Sequence, residues 1–433
     1  MKIMIFLLFI VTAISAVAIP YWTGVGAEKQ FTTLQQTQKT ATIIDENYQR
    51  GWFSSEINST YQLPLKNIPD AQIQLHHTIE HGLLPVRETL IHSTVKMGER
   101  VQHYWGEIPK LAIKTAIHAD GSSQSHVNLP AFSVSQATQN IQIEAIQGNI
   151  QFDRQLNWQK LTQNYEAEVM TQGGKGHFSI PTVRFEQAGI VWELTGVILD
   201  FDLHPEQVFW LQKMDISVAK LTVAIKGQAP FFSVNKLAWQ QTHETVGDQL
   251  TINVASQMKA VQWLTEYYQP ILLHASIKKL DAPSLKQLQT AVISSYQTQT
   301  IQQPLLALSS FLPPLMGLIK HQPTFAIDEL IIGEAPEQLH STLTVNFPSA
   351  SPVFLFDPLS LVRQINAEVQ WSSHATLLNR LLSGVQTPKM TQQAIQQWLK
   401  KGWLAQQQQQ HYQSHIELKN GVLYTNKQAQ LQL

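Results

Sequence analysis

At 433 residues, 43 % of them apolar, the chain can bury two to three domains' worth of core and is too apolar to be disordered. A net charge of -1 leaves no basic field, which excludes nucleic acid as a partner on electrostatic grounds. The absence of cysteine excludes disulfides, thiolate chemistry and Cys-ligated metal, so core packing alone must hold the folded body together. Only 14 % of residues are charged. Gln supplies much of the missing polarity with 53 copies, interleaved with apolar positions as solvated faces rather than as a prion-like tract.

Residues 1–22 carry one charge, Lys2, and residues 3–19 are apolar apart from Thr12 and Ser15. A bilayer core needs about 20 apolar helical residues, with about 17 as the lower bound. The segment meets that bound, and Pro20, Tyr21 and Trp22 extend it with an interfacial aromatic pair. The start amine and Lys2 form the positive end, so the N-terminus is expected to stay cytoplasmic and residues 20–433 to be exported. Two readings stay open: a retained membrane anchor, or a signal peptide cleaved after the small-x-small triplet Ala16-Val17-Ala18. Residues 23–50 then read as a stalk helix, with Phe31, Leu34, Ile43, Ile44 and Tyr48 among Gln and Thr.

Two alternating runs follow: Ile57, Ser59, Tyr61, Leu63, Leu65, then Ile73, Leu75, His77, Ile79, His81. Period-two alternation predicts half-buried strands. The flanking residues carry a resemblance. Arg50-Gly51-Trp52-Phe53-Ser54-Ser55, then His81-Gly82-Leu83-Leu84-Pro85, resemble the two N-terminal signatures of the YdgA-like family of bacterial envelope proteins. The second signature ordinarily reads His-Gly-Pro, and Leu83 departs from it. At the other end, Trp398-Leu399-Lys400-Lys401-Gly402-Trp403-Leu404 precedes a strand pair around Gly421, and Asn426-Lys427 stands where the family shows Asn-Gly-Lys. The resemblance spans essentially the whole chain. It implies an inner-membrane-anchored, periplasm-facing protein of unknown molecular function, and it supplies no catalytic residues.

Between these ends, Leu111, Ile113, Thr115 and Ile117 alternate, as do Val127, Leu129 and Ala131. Residues 190–202, 216–226 and 250–255 extend the series, with turn signals at Gly189, Gly196, Gly227 and Pro230. Gly173-Gly174-Lys175-Gly176 reads as a turn, since it lacks the Ser/Thr and the context of a phosphate loop. From Lys259 the spacing turns helical, with Val261, Leu264, Tyr267 and Tyr268 on one short face. Asp281-Ala282-Pro283 starts a helix, Asp281 as N-cap and proline in the first turn. Residues 305–319 are apolar but carry Pro313-Pro314, too short and broken to span a bilayer. Strands return at 325–332, 339–347 and 365–371, and helices at 375–382 and 391–410, with Gln406 to Gln410 as an exposed helix end.

The predicted fold is therefore α+β and β-dominant: antiparallel twisted sheets, with a few helices packed on one side. By region, 1–22 is anchor or signal, 23–50 stalk helix, 51–257 β-rich and 258–433 α+β; two readings stay open for the last two, separate regions or one continuous body.

Candidate chemistry is sparse. His77-Thr78-Ile79-Glu80-His81 matches the inverzincin pattern H-x-x-E-H, which needs a helix. In a strand, His77 and His81 stand about 13 Å apart, too far to share one zinc. Asp200, Asp202 and His204 share a strand face at about 6.6 Å spacing, too wide for tight chelation. No metal, no cofactor and no catalytic residue is assigned. The leading expectation is a non-enzymatic envelope protein that binds a partner, whose identity the residues do not specify, or associates with itself. A second is lipid handling in an apolar trough lined by Phe201, Trp210, Phe231, Phe232 and Trp239. The weakest is an exported hydrolase.

Overall fold

The computed structural model describes residues 42–50, 54–63, 70–80, 88–118, 122–136, 139–153, 173–203, 211–297, 304–349, 360, 363–383, 388–407 and 410–432. The N-terminal apolar segment, Gly51, Trp52, the motif from His81 to Pro85, His204 and Trp210 lie outside the described residues. Among the described residues strand dominates over five helices, all strand pairs given below are antiparallel, and the chain divides into two compact units.

The first unit contains β1 (Thr42–Arg50), β2 (Ser54–Leu63), β3 (Ala71–Glu80), β4 (Thr89–Met97), β5 (Leu111–Ile117) and β6 (Ser123–Leu129). It continues with β7 (Phe132–Gln136), β8 (Gln139–Ile143), β9 (Ile146–Phe152), β10 (Gly174–Gln187) and β11 (Ile190–Leu203). Hydrogen bonding runs β1–β2–β3–β4–β5–β6–β9–β10–β11. The β7–β8 hairpin joins the same edge of β10 beyond β9.

The predicted alternation sets this sheet's inner face. On β3, Ala71, Ile73, Leu75, His77 and Ile79 are buried, and their neighbours are not. Ala71, Ile73 and Leu75 join Tyr61, Val95, Ile113, Val127, Ile150 and Phe178 around α1 (Glu99–Trp105), which contributes Val101, while Ile79 packs with Ile57, Ile91 and Ile117 in a second cluster. At about 25 cal/mol per Å² of apolar surface, this interior is the main stabilising term of the unit.

The second unit holds residues 215–224 of β12 (Leu211–Ile225), then β13 (Pro230–Val246), β14 (Gln249–Trp263), β15 (Glu266–Tyr268) and β16 (Ile271–Asp281). The helices α2 (Ala282–Gln297) and α3 (Pro304–Leu318) lead to β17 (Thr324–Ile332), β18 (Leu339–Asn346) and β19 (Asn366–His374). Then come α4 (Ala375–Ser383), α5 (Pro388–Lys400), β20 (Ala405–Gln407), β21 (His411–Lys419), β22 (Val422–Thr425) and β23 (Gln428–Gln432). The ladder is β13–β14–β16–β17–β18–β19–β21. β15 continues the line of β16 along β14, and β20 and β22 share the outer edge of β21.

Four local expectations are corrected. Residues 42–50 form a strand, not a stalk helix, because Thr42, Ile43 and Asp45 to Arg50 pair with β2 in an antiparallel ladder, and cross-strand pairing overrides local preference. Gly174-Lys175-Gly176 opens strand β10 instead of a turn. The helical spacing from Lys259 belongs to the β14–β15 hairpin, where cross-strand pairing wins over local periodicity. The last helix stops at Lys400, and Ala405–Gln407 is a strand. Gly402, at φ 70, ends α5 in a Schellman motif: Trp403 N–H bonds the Trp398 carbonyl and Gly402 N–H the Leu399 carbonyl. The N-cap at Asp281 is present as expected, accepting the Ser284 N–H at 3.0 Å. Pro313 and Pro314 lie inside α3 without interrupting it.

Candidate functional site

Cross-strand partners share a face of a sheet, so the register assigns every side chain of the second unit to one side. One row runs Trp239, Ser256, Leu273, Leu330, Ser341, Trp371, Ser414 across seven strands. The next runs Val254, Ala275, Ile327, Leu343, Val369, Ile416, and the one after that Ile252, Ile277, Phe325, Val345, Ala367, Leu418. From β14 to β21 the second and third rows are wholly apolar, whereas the first carries Ser256, Ser341 and Ser414, and β13 adds Gln241 and His243 opposite Val254 and Ile252. The opposite face carries Asn253, His274, Thr344, Glu368, His415 and Glu417. A β-bulge in each of the β14–β16, β16–β17 and β17–β18 ladders keeps the apolar side chains in step despite the extra residue.

The two inner rows are not sealed. Val254, Ile277, Phe325, Leu343, Val369 and Ile416 are each half-buried, unlike the closed core of the first unit. From Phe325 to Ile332 the floor extends about 23 Å along the strands, and seven strands span about 29 Å across them.

Helices stand at the two ends of this floor. At the end near β15, Leu378 of α4, Ile395 of α5 and Leu404 form a cluster that takes in Trp371 and Tyr412 of the face. Arg380 of α4 reaches the β14–β15 hairpin. It donates Nε to Glu266 at 3.0 Å and Nη2 to the Tyr267 carbonyl, and it lies over the Tyr268 ring at 5.5 Å. At the other end α2 and α3 connect β16 to β17. Asp281 is buried there, bonded by the Ser284 N–H and hydroxyl, with His321 at 3.1 Å and Lys320 at 3.7 Å. Burial alone would raise its pKa. The Ser284 bonds, with Lys320 and His321 beside it, outweigh that and hold the carboxyl below its ordinary value.

The trough candidates are distributed. Trp239 lies on the apolar face. Phe232 packs edge-on against Trp263 on the opposite side. Phe231 is adjacent, its carbonyl taking the Leu264 N–H at 2.6 Å. Phe201 belongs to the first unit, where it stacks on Phe178 beside the core. It was the apolar register across β16–β19, legible only once the pairing is known, that sequence reasoning missed.

The remaining chemistry is structural. His77 is buried in β3, as a strand requires, with Nδ1 2.7 Å from Ser93 Oγ. Burial, with a smaller contribution from His76, lowers its pKa to about 4, so the ring is neutral at pH 7. Glu80 points to the other face and approaches His92. Asp200 receives His177 Nδ1 at 2.7 Å. Among the described residues, no group of three His, Asp or Glu could hold a metal ion.

The motif positions that the structure describes are structural as well. Arg50 pairs with Ser55 in the β1–β2 register, and the Ser55 hydroxyl accepts from Tyr48 at 3.2 Å; Ser54 opens β2 opposite Glu80. Gly421 (φ 74) and Asn426 (φ 47) occupy hairpin turns that demand positive φ. The Asn426 side chain also donates to the Gly402 carbonyl at 2.8 Å and accepts the His415 N–H at 3.0 Å, tying β21 to the end of α5.

Comparison places the chain in a family. It belongs to the one described as bacterial protein of unknown function (DUF945), whose model matches residues 1–429. No curated protein and no solved structure matches it. Among the described residues, no helix is long and apolar enough to cross a membrane.

Proposed function

We propose that this member of a bacterial family of unknown function is exported and tethered by residues 3–19 to the inner membrane, with its body in the periplasm. There it works without catalysis, holding lipid acyl chains against the apolar face of its second unit. The observation that carries this reading is the half-buried aliphatic floor between the two helical ends. A sealed core excludes ligand, and a solvated face is polar; this face is neither. The dimensions fit. A bilayer's hydrocarbon is about 30 Å thick, so one tail needs about half of that, and the floor runs about 23 Å along the strands. The apolar N-terminal segment supports export, and would keep the body next to its ligand source.

The test uses the full chain in nanodiscs whose phospholipid carries a diazirine on the acyl chain. Illumination is expected to place adducts on peptides of β16–β19, and Leu343→Glu to abolish those while the fold persists by circular dichroism. Adducts confined to residues 3–19 would overturn the acyl-chain reading. A reporter fused after Leu433 that is active only in the cytosol would overturn export. A mature N-terminus at Ile19 would replace the tether by cleavage and leave export standing.

A further inference from the structure

The β14–β15 hairpin ends in a turn that is costly twice over. Its central residues are Leu264 and Thr265, between the paired Trp263 and Glu266. Leu264 has φ 55, a conformation in which Gly or Asn is the ordinary choice and a bulky residue is strained. Leu264 is also 52 % exposed, flanked by Trp263 at 49 % and Tyr267 at 54 %. A turn selected for folding alone would avoid both the strain and the exposed apolar surface.

The tip is also held rigid. Leu264 N–H is bound to the Phe231 carbonyl at 2.6 Å, and Gln262 Nε2 donates to the Leu264 carbonyl at 3.0 Å. Phe232 braces Trp263 edge-on, with ring centroids 5.7 Å apart. Arg380 neutralises Glu266, the only charge on the hairpin tip, at 3.0 Å. Three apolar side chains are thereby presented to water in fixed positions, with the local charge cancelled.

We infer that this tip is a membrane-contacting wedge, which seats Trp263, Leu264 and Tyr267 in the interfacial layer of a lipid bilayer. Trp and Tyr favour that layer because an apolar ring and a polar N–H or O–H are satisfied at once. Leu264 at the apex supplies the group that goes deepest. Area argues against a protein partner. Three side chains offer a few hundred Å² at about 150–250 Å² per aromatic, whereas a specific protein interface buries about 1,200 Å² or more. The neutral tip fits an uncharged interfacial layer and no acidic or basic peptide. The inference rests on the membrane tether proposed above and not on the acyl-chain reading.

The native chain has no cysteine, so one introduced thiol labels uniquely. Leu264→Cys and Val246→Cys are each spin-labelled in the full chain and reconstituted into phosphatidylcholine nanodiscs. Val246 is the control: 69 % exposed, and about 45 Å away at the other end of the β13–β14 hairpin. The label at 264 is expected to show a higher ratio of oxygen to nickel-chelate accessibility than the label at 246. Trp263→Ser with Tyr267→Ser is expected to bring the 264 ratio down to that of 246. Protein that co-elutes with the discs yet shows equal ratios at both sites would overturn the wedge and leave the tether intact. Protein that elutes apart from the discs would overturn both. A 264 label immobilised in protein without lipid would place a second copy on the tip and overturn the wedge as well.

Discussion

His77 Nδ1 lies 2.7 Å from Ser93 Oγ in a directly opposed cross-strand pair, with both side chains almost fully buried. The bond satisfies one ring nitrogen in a row whose outer members are Ile57 on one side and Ile113 on the far strand. A buried polar pair of this kind costs little while both partners stay neutral and much once one is charged.

The consequence is a pH dependence with a defined direction. In the folded state His77 takes up its proton only near pH 4, while an unfolded histidine does so near 6.5. Between those values the unfolded chain binds more protons, so stability is full above about 6.5 and is lost as pH falls towards 4. The loss from this one group is about 3 kcal/mol. Urea unfolding from pH 7 to 4 is expected to show that slope in the native chain and a reduced one in His77→Leu. A native curve without it would dispose of the assignment.

The β22–β23 turn offers a second check. Asn426 and Lys427 both have positive φ, 47 and 68, as a two-residue hairpin turn requires. Lysine gains nothing there that glycine would not, so Lys427→Gly is expected to stabilise by about 0.5–1 kcal/mol. Asn426→Ala should cost about 1–3 kcal/mol, because it unbinds the Gly402 carbonyl and the His415 N–H together. Thermal unfolding of the two variants should move in opposite directions, and shifts of the same sign would contradict this account of the turn.

Gly176 and Phe201 form the third test. They are opposed on β10 and β11, and a Cβ at 176 would run into the Phe201 ring. Gly176→Ala is expected to destabilise by about 1–3 kcal/mol through overpacking. Combined with Phe201→Ala, much of that cost should vanish, since the cavity left by the ring admits the methyl. A double-mutant cycle measures this coupling, and strictly additive losses would mean that the ring is not what glycine makes room for.

These pairs mark how far the primary structure could be read. The alternation at 71–79 is a local property, and β3 buries the residues it indicates. Asp281-Ala282-Pro283 likewise announced the start of α2. Where reading failed, cross-strand pairing had overruled local preference. Thr42–Arg50 became a strand because β2 was there to pair with it, and the segment around Leu264 became a hairpin rather than a helical face. The glycines at 174 and 176 looked like turn residues because their use, admitting the Gln151 carbonyl and the Phe201 ring, depends on neighbouring strands.

From the residues alone came the apolar first segment, the missing thiols and charge clusters, and the two-residue rhythm of strand after strand. Folding alone decided which strands lie side by side, and so which of those rhythms add up to one continuous apolar floor. The reason is one of range. Side chains alternate within a single strand, whereas a face is summed over seven, and one residue of slip in any ladder turns its share of aliphatic groups to the other side.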